Sequence, residues 1–239
     1  MGILVTICAR GGSKGIPGKN IKPIGGTPLI GHSIKVGQRF LAQQAGVMEL
    51  STDNDDIKGV ARSLGLATEY TRPAELASDT AGKIDVLYHV WKYAEQKHGQ
   101  SFDYLLDLDV SAPLRSLEDV QQAFKMLEAD KKALNIFSVS KAHRNPYFNM
   151  VEKKANGYYG VIKKGEFKTR QESPEVFDMN ASFYIYKRAF FDQGCTSAIT
   201  ESSLIYAMGH ICFDLDEPLD LSYMNFLLEN RLLDFKFDY

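Results

Sequence analysis

A short apolar run, Ile3 to Ile7, passes directly into the stretch Cys8 to Asn20, CARGGSKGIPGKN. No other feature narrows the possible folds as much. The run is bounded by turn residues and reads as a strand buried on both faces, as in a parallel sheet. The stretch after it sets Arg10, Lys14 and Lys19 among Gly11, Gly12, Gly15 and Gly18. Glycine lets the backbone take positive φ and brings its N–H groups close to a ligand. Loops at strand C-termini are the usual ligand positions of open α/β sheets, and this one suits a polyphosphate. The alternative is a flexible turn carrying surface lysines. It is not a P-loop, because Gly18-Lys19 is followed by Asn20, and it lacks the G-x-G-x-x-G dinucleotide fingerprint.

The rest of the chain repeats the strand–helix theme up to residue 140. Thr27-Pro28 predicts a helix start, with the threonine hydroxyl as cap and proline in the first helical position. Val47 to Thr52 reads as a strand, followed by a helix capped by Asp53 or Asn54 and stopped by Gly65. The acids Asp53, Asp55 and Asp56 lack the glycine and late glutamate of a calcium loop. Leu66 to Tyr70 reads as a third strand, Lys83 to Lys97 as a helix, and Tyr104 to Asp109 as a further strand. Ser116 and Asp119 form a capping box, and Ile136 to Ser140 is the last strand of this part. Alternation of this kind predicts an α/β fold, a mostly parallel sheet flanked by helices.

From residue 141 to 178 the pattern changes. Two β-like pieces flank Asn156-Gly157, a hairpin signal, and the segment is rich in aromatics and arginine, including Arg144, Tyr158, Tyr159 and Arg170. It is too short for a core of its own. The division expected is a core of residues 1–140 and 179–239 and an insert of residues 141–178. The core resumes with a strand at Ser182 to Tyr186, a short helix from Arg188, a strand at His210 to Phe213 and a helix from Pro218 to Leu233.

Composition excludes several classes. A net charge of −2 over 239 residues gives no global field for nucleic acid. Three cysteines without C-x-x-C spacing and five scattered histidines argue against a disulfide framework and against zinc. No basic leader or membrane-length apolar run is present. A formal myristoylation pattern at Gly2 falls on the buried first strand. A cytoplasmic enzyme is the expectation.

Three further stretches carry chemistry. Leu105 to Arg115, LLDLDVSAPLR, ends a strand in acids, so Asp109 and Ser111 face either a ligand or the next helix start. In Cys212 to Asp216, alternation puts Asp214 and Asp216 on one side of an extended segment. Two such carboxylates can share a hard cation such as Mg²⁺, or Asp216 can cap the following helix. Arg170, Gln171 and Arg144 in the insert suit a carboxylate or are interface residues. No nucleophile–base pair stands out, as is expected for direct nucleotidyl transfer, which needs positive charge, a divalent cation and alignment.

Taken together, ARGGSKGIPGKN, STD (51–53), RPAELASDTA (72–81), SAPLR (111–115), TRQESPEVFDMNASFYIYKR (169–188) and FDLDEPLDL (213–221) resemble the CMP-sialate synthetases, the acylneuraminate cytidylyltransferases. The resemblance implies a nucleotide-diphospho-sugar transferase fold and attack by a nine-carbon acidic sugar on the α-phosphate of CTP. It implies that Arg10, Lys14 and Lys19, with Gly11, Gly12 and Ser13, hold the phosphates, and that Asn20, Arg72 and Ser78 contact cytidine. Asp214 and Asp216 would hold Mg²⁺, with Arg10, Lys14 and Asp216 catalytic. Asp109, Ser111, Arg144, Arg170 and Gln171 would serve the sugar, and the insert would build a homodimer. Asp109-Val-Ser-Ala-Pro-Leu-Arg departs from the Gln-Pro-Thr-Ser-Pro-Leu-Arg common in sialate-using members and resembles the legionaminate branch. An acid in place of glutamine changes which hydrogen bonds the sugar pocket can make.

Overall fold

The computed structural model describes residues 2–167 and 169–237. Strand β1 (Ile3–Cys8) is followed by a small hairpin, β2 (Pro23–Ile24) and β3 (Thr27–Pro28), then helix α1 (Leu29–Leu41). Next come β4 (Gly46–Ser51), α2 (Asp55–Ser63), α3 (Lys83–His98), β5 (Tyr104–Leu108), α4 (Leu117–Ala129) and β6 (Asn135–Lys141). The hairpin β7 (Val151–Lys153) and β8 (Tyr159–Val161) precedes β9 (Phe177–Lys187), α5 (Arg188–Asp192), β10 (Ser203–Ala207) and α6 (Pro218–Glu229).

The main sheet has six strands in the order β10-β6-β9-β5-β1-β4. β1 pairs in parallel with both β4 and β5, and β10 with β6, whereas β9 runs antiparallel to its two neighbours. The mostly parallel expectation therefore holds, with one reversed strand at the centre. After β1 the chain steps to one side for β4 and then to the other for β5. That reversal opens a crevice beyond the C-terminal ends of β1 and β5, where open α/β sheets bind ligands.

Alternation along the strands divides the core between the two sheet faces. Ile3, Val5 and Ile7 of β1 pack with Leu106, Leu108, Phe183 and Ile185 under α1 and α4. Leu4 packs with Leu105, Tyr184 and Tyr186 against Ile84, Leu87 and Trp91 of α3. Thr6 and Asp107 stand opposite each other on that second face, both fully buried, and the threonine hydroxyl donates to the carboxylate at 2.9 Å.

Local signals are met at several termini. Asn54 caps α2 by accepting from Ile57 N, and Gly65 follows at φ +84°. Ser116 and Asp119 form the expected capping box of α4. Gly157 turns the β7–β8 hairpin at φ +85°. Tyr158 and Tyr159 at its tip are 76% and 71% exposed.

Four expectations are corrected. Thr27 does not cap α1. It pairs with Ile24 across Gly25-Gly26, both at positive φ, and Pro28 takes the cap position without a side-chain bond. Residues 66–70 form no strand. They are tied down singly, by Thr68 Oγ1 donating to Leu50 O and Leu66 N donating to Ala61 O. The strand expected at His210 to Phe213 lies earlier, as β10. Residues 210–211 instead bond to Asp119 and to Asp234. Helix α6 stops at Glu229, with Asn230 as its C-terminal cap.

The tail is clasped onto α4 through a cluster around Asp119. This carboxylate accepts from Ser116 Oγ at 2.6 Å and from Tyr206 Oη at 3.1 Å, and lies 2.9 Å from His210 Nε2. The His210 ring stacks on Phe235 at 3.6 Å. Burial alone would lower the His210 pKa, but Asp119 overrides it and the net shift is upward. A group whose folded pKa is raised stabilises fully below its unfolded pKa, and that contribution is lost as pH rises through the folded value. Thermal melts from pH 6 to 9 should therefore show the native protein losing more stability with rising pH than His210→Gln. Parallel curves would refute the charged clasp.

Candidate active site

The crevice is a cleft of about 570 Å³. Arg10, Ser13, Lys14, Lys19, Asn20, Arg72, Ser78, Asp109, Ser111 and Asp216 all line it. They arrive from four connections beyond the sheet, those after β1, α2, β5 and β10, which is why spacing in sequence says little about spacing in space.

The loop after β1 is sewn down at several points. Asn20 Nδ2 donates to Arg10 O at 2.9 Å, and Gly11 N donates to Asp53 Oδ1 at 2.9 Å. The buried Lys19 reaches across to residues 215–216, where its Nζ donates to Leu215 O at 2.6 Å and lies 3.2 Å from Asp216 Oδ1. Gly15 crosses the same segment so closely that a Cβ on it would lie 2.1 Å from Asp216 O. Gly18 takes φ +66° to turn the chain into the short 3₁₀ turn Lys19–Ile21. The loop is thus fastened to the carboxylate segment at Lys19 and Gly15.

On the far wall, Arg72 is buried. Its Nε donates to Ser51 Oγ at 2.9 Å and its Nη2 to Ser51 O at 2.8 Å. Ser78 belongs to a self-bonded turn, its hydroxyl donating to Glu75 O at 2.9 Å. Arg10 Nη1 lies 2.7 Å from Asp79 Oδ1, and Lys14 Nζ pairs with the other oxygen of the same carboxylate.

The floor is a compact charge cluster. Lys83 Nζ lies 2.9 Å from Asp107 Oδ2 and 3.1 Å from Asp109 Oδ2, and 4.1 Å from the centre of the Tyr184 ring. Asp109 Oδ1 accepts from Ser111 N at 2.8 Å. Burial alone would lower the Lys83 pKa and raise that of Asp109. Asp107 and then Asp109 reverse the first, and Lys83 with the Ser111 N–H reverses the second, so the lysine stays protonated and the acid ionised. Arg115 lies behind them, donating to Ser182 O at 2.8 Å and to Asp109 O, and fixes the path of residues 109–115.

Asp214 behaves differently from Asp216. Burial, with the nearby charges of Asp109 and Asp216, pushes its carboxyl up to about 6, and its buried Oδ1 has no hydrogen-bond partner. Asp216 is exposed beside Lys19. An unpartnered oxygen among like charges is relieved by a cation, and oxygen-only donors suit Mg²⁺, which keeps several water or phosphate ligands. The residues therefore fit that ion. Among the described residues no group of three or more His, Cys, Asp or Glu side chains is placed to hold a metal ion.

Five predicted residues, Gly11, Gly12, Arg144, Gln171 and Asp214, are not among those that line this cleft, although Asp214 is two residues from Asp216, which is. Gly11 turns toward Asn54 and lines a smaller neighbouring hollow. Arg144 and Gln171 line a separate cavity of about 580 Å³ on the insert. Gly12 is not among the residues lining the cleft, and the side chain of Arg170 lies outside the described residues. Sequence reasoning missed Lys83 and Asp79. A lysine in the first turn of a helix opposes the helix dipole, and that misfit was the available signal for Lys83. Asp79 offered none beyond its place in a loop.

The model of a family described as cytidylyltransferase matches residues 4–230. A post-translational flagellin modification protein B of Campylobacter coli is 39% identical over 98% of both chains. A CMP-N,N'-diacetyllegionaminic acid synthase of Campylobacter jejuni is 37% identical over 97% of both. An N-acylneuraminate cytidylyltransferase of Oncorhynchus mykiss is 30% identical over 80% of this chain and 43% of that one. In fold, the chain matches a CMP:2-keto-3-deoxy-manno-octonic acid synthetase structure with a TM-score of 0.66 at 18% identity, covering 97% of this chain and 100% of that one.

Gly15→Ala should drive the loop away from residues 214–216. A misplacement near 1 Å lowers turnover roughly 100-fold, while the surface position leaves the melting temperature nearly unchanged. Activity and melting measured on one preparation check this, and normal turnover would show that the close approach is dispensable.

Proposed function

We propose one reaction, on the premise that this chain belongs to the cytidylyltransferase family: CTP and a nine-carbon acidic sugar give the CMP-sugar and pyrophosphate. The anomeric oxygen forms the new bond to the α-phosphorus, the bond from that phosphorus to the α–β bridging oxygen breaks, and the proton of the anomeric hydroxyl is lost to solvent or a base. What carries this reading is one cleft lined by Arg10, Lys14 and Lys19 and by Asp216, with the unpartnered Oδ1 of Asp214 two residues from Asp216. The cations would neutralise the triphosphate, with Arg10 nearest the reacting phosphorus. Arg72, Ser78 and Asn20 would grip the cytidine. Asp214 and Asp216 would hold Mg²⁺, which would offset phosphate charge as the leaving group departs. No covalent enzyme intermediate is needed, because positioning and charge supply the rate enhancement.

Asp109 and Ser111 would meet the acceptor. We assign an acceptor of the N,N'-diacetyllegionaminate type ahead of N-acetylneuraminate. The supports are the higher identity to the Campylobacter synthase than to the trout enzyme and the ionised Asp109 braced by Lys83. A fixed carboxylate accepts from amide N–H or hydroxyl groups and cannot donate. The insert, residues 141–178, would pair two copies, its exposed tyrosines covered by the partner and its Arg144, Arg170 and Gln171 brought to the partner's cleft.

Pyrophosphate release with CTP and a panel of N,N'-diacetyllegionaminate, N-acetylneuraminate and 3-deoxy-manno-octulosonate tests the assignment. The expected order of kcat/KM is the order just given, and absence of turnover with every acid would overturn the reaction itself. Asp216→Asn should keep its fold and lose roughly 100-fold or more of Mg²⁺-dependent turnover. Unchanged metal dependence would remove Asp216 from the ion's site.

A further inference from the structure

Both exposed cations of the β1 loop are already engaged. Asp79 bridges them, with Oδ1 2.7 Å from Arg10 Nη1 and Oδ2 paired with Lys14. The contact spans the mouth of the cleft, from the β1 loop to the segment entering α3. Arg10 Nη1 also lies 3.4 Å from Ala77 O, so the guanidinium leans toward this segment. Lys14 and Arg10 hold the Asp79 carboxyl below the usual carboxylate range.

Such a bridge does little for the fold. Lys14 is 80% exposed and Asp79 46%, and ion pairs this wet contribute little to stability and open readily. The segment keeps its shape through its own bonds, Ser78 Oγ to Glu75 O at 2.9 Å and Ser78 to Thr80 at 3.3 Å. Asp79 can therefore let go without unravelling its loop.

We propose that Asp79 is an internal competitor for the phosphate site: it holds Arg10 and Lys14 when the cleft is empty, yields them to a polyphosphate, and reclaims them as pyrophosphate leaves. The inference rests on Arg10 and Lys14 being phosphate ligands. When the competent state is only part of the population, apparent affinity falls by that fraction. The reduction applies to ligands that need the two cations, CTP and pyrophosphate. CMP keeps only the α-phosphate, so it can meet Arg10 but does not extend to Lys14, and the reduction is smaller for it. The bridge thus weakens the leaving product and the triphosphate more than CMP, which favours release after transfer.

Calorimetric titration of the full-length protein with inorganic pyrophosphate, CTP and CMP tests this, using the native chain, Asp79→Asn, Asp79→Ser and Arg10→Gln. Both Asp79 variants should melt like the native protein and bind pyrophosphate and CTP about threefold to tenfold more tightly. Their affinity for CMP should rise by clearly less, and pyrophosphate should become a correspondingly stronger product inhibitor. Unchanged or weaker pyrophosphate binding in both variants, with Arg10→Gln still weakening it, would overturn the competitor alone. Equal tightening of CMP would also overturn it, because the effect would then be general to the cleft. If Arg10→Gln leaves pyrophosphate affinity unaltered, the phosphate assignment fails and the proposal with it.

Discussion

Asp107 is a carboxylate buried in the middle of the sheet, and much of the molecule is arranged around that fact. An isolated ion there would cost several kcal/mol. Thr6 on β1 donates to one oxygen and Lys83 at the start of α3 lies against the other. This ties the two strands at the topological switch to the helix above them. With the N-terminus of α3 held over β1 and β5, the preceding segment lies across the cleft mouth and brings Asp79 to Arg10 and Lys14. The same lysine holds Asp109 ionised and facing the cleft. One buried charge thus places a helix, a loop and an acceptor group.

The second organising contact is Lys19, whose Nζ meets Leu215 O and Asp216 from 196 residues away in sequence. Gly15 allows this approach, since any side chain there would collide with residue 216. Arg10, Lys14 and Lys19 then share one cleft with Asp216. Asp214, two residues away, has its Oδ1 left without a hydrogen bond and its carboxyl held up at about 6 by burial and by its acidic neighbours. On the proposed reading such a site would take two ligands of opposite charge together, a metal and a polyphosphate.

How much of this was legible in the sequence varied with the range of the interactions involved. Asn54, Ser116–Asp119, Gly65 and Asn156-Gly157 act within a few residues of themselves, and the structure keeps each in the predicted role. Thr27 failed as a cap because Gly25-Gly26 folds it into a hairpin with Ile24. Residues 210–213 failed as a strand because their polar groups found Asp119 and Asp234, both distant in sequence. The reversed direction of β9 left no mark on its own residues. Strand direction depends on how the chain returns from residues 141–176, and a period-2 pattern reads the same both ways.

The sequence by itself determined the fold class, the order of nearly all elements and the residue types of the cleft. Those follow from periodicity, turn chemistry and a motif set that belongs to one family. The tertiary structure alone decided which charges neutralise which. It paired Lys83 with Asp107 and Asp109, set Asp79 against Arg10 and Lys14, left Asp214 without a partner, and kept Arg144 and Gln171 in a cavity of their own. The physical reason is that Coulombic and hydrogen-bond partners are chosen by distance in space. In an open sheet that distance is set by the crossing of loops from separate strands, which no local pattern encodes.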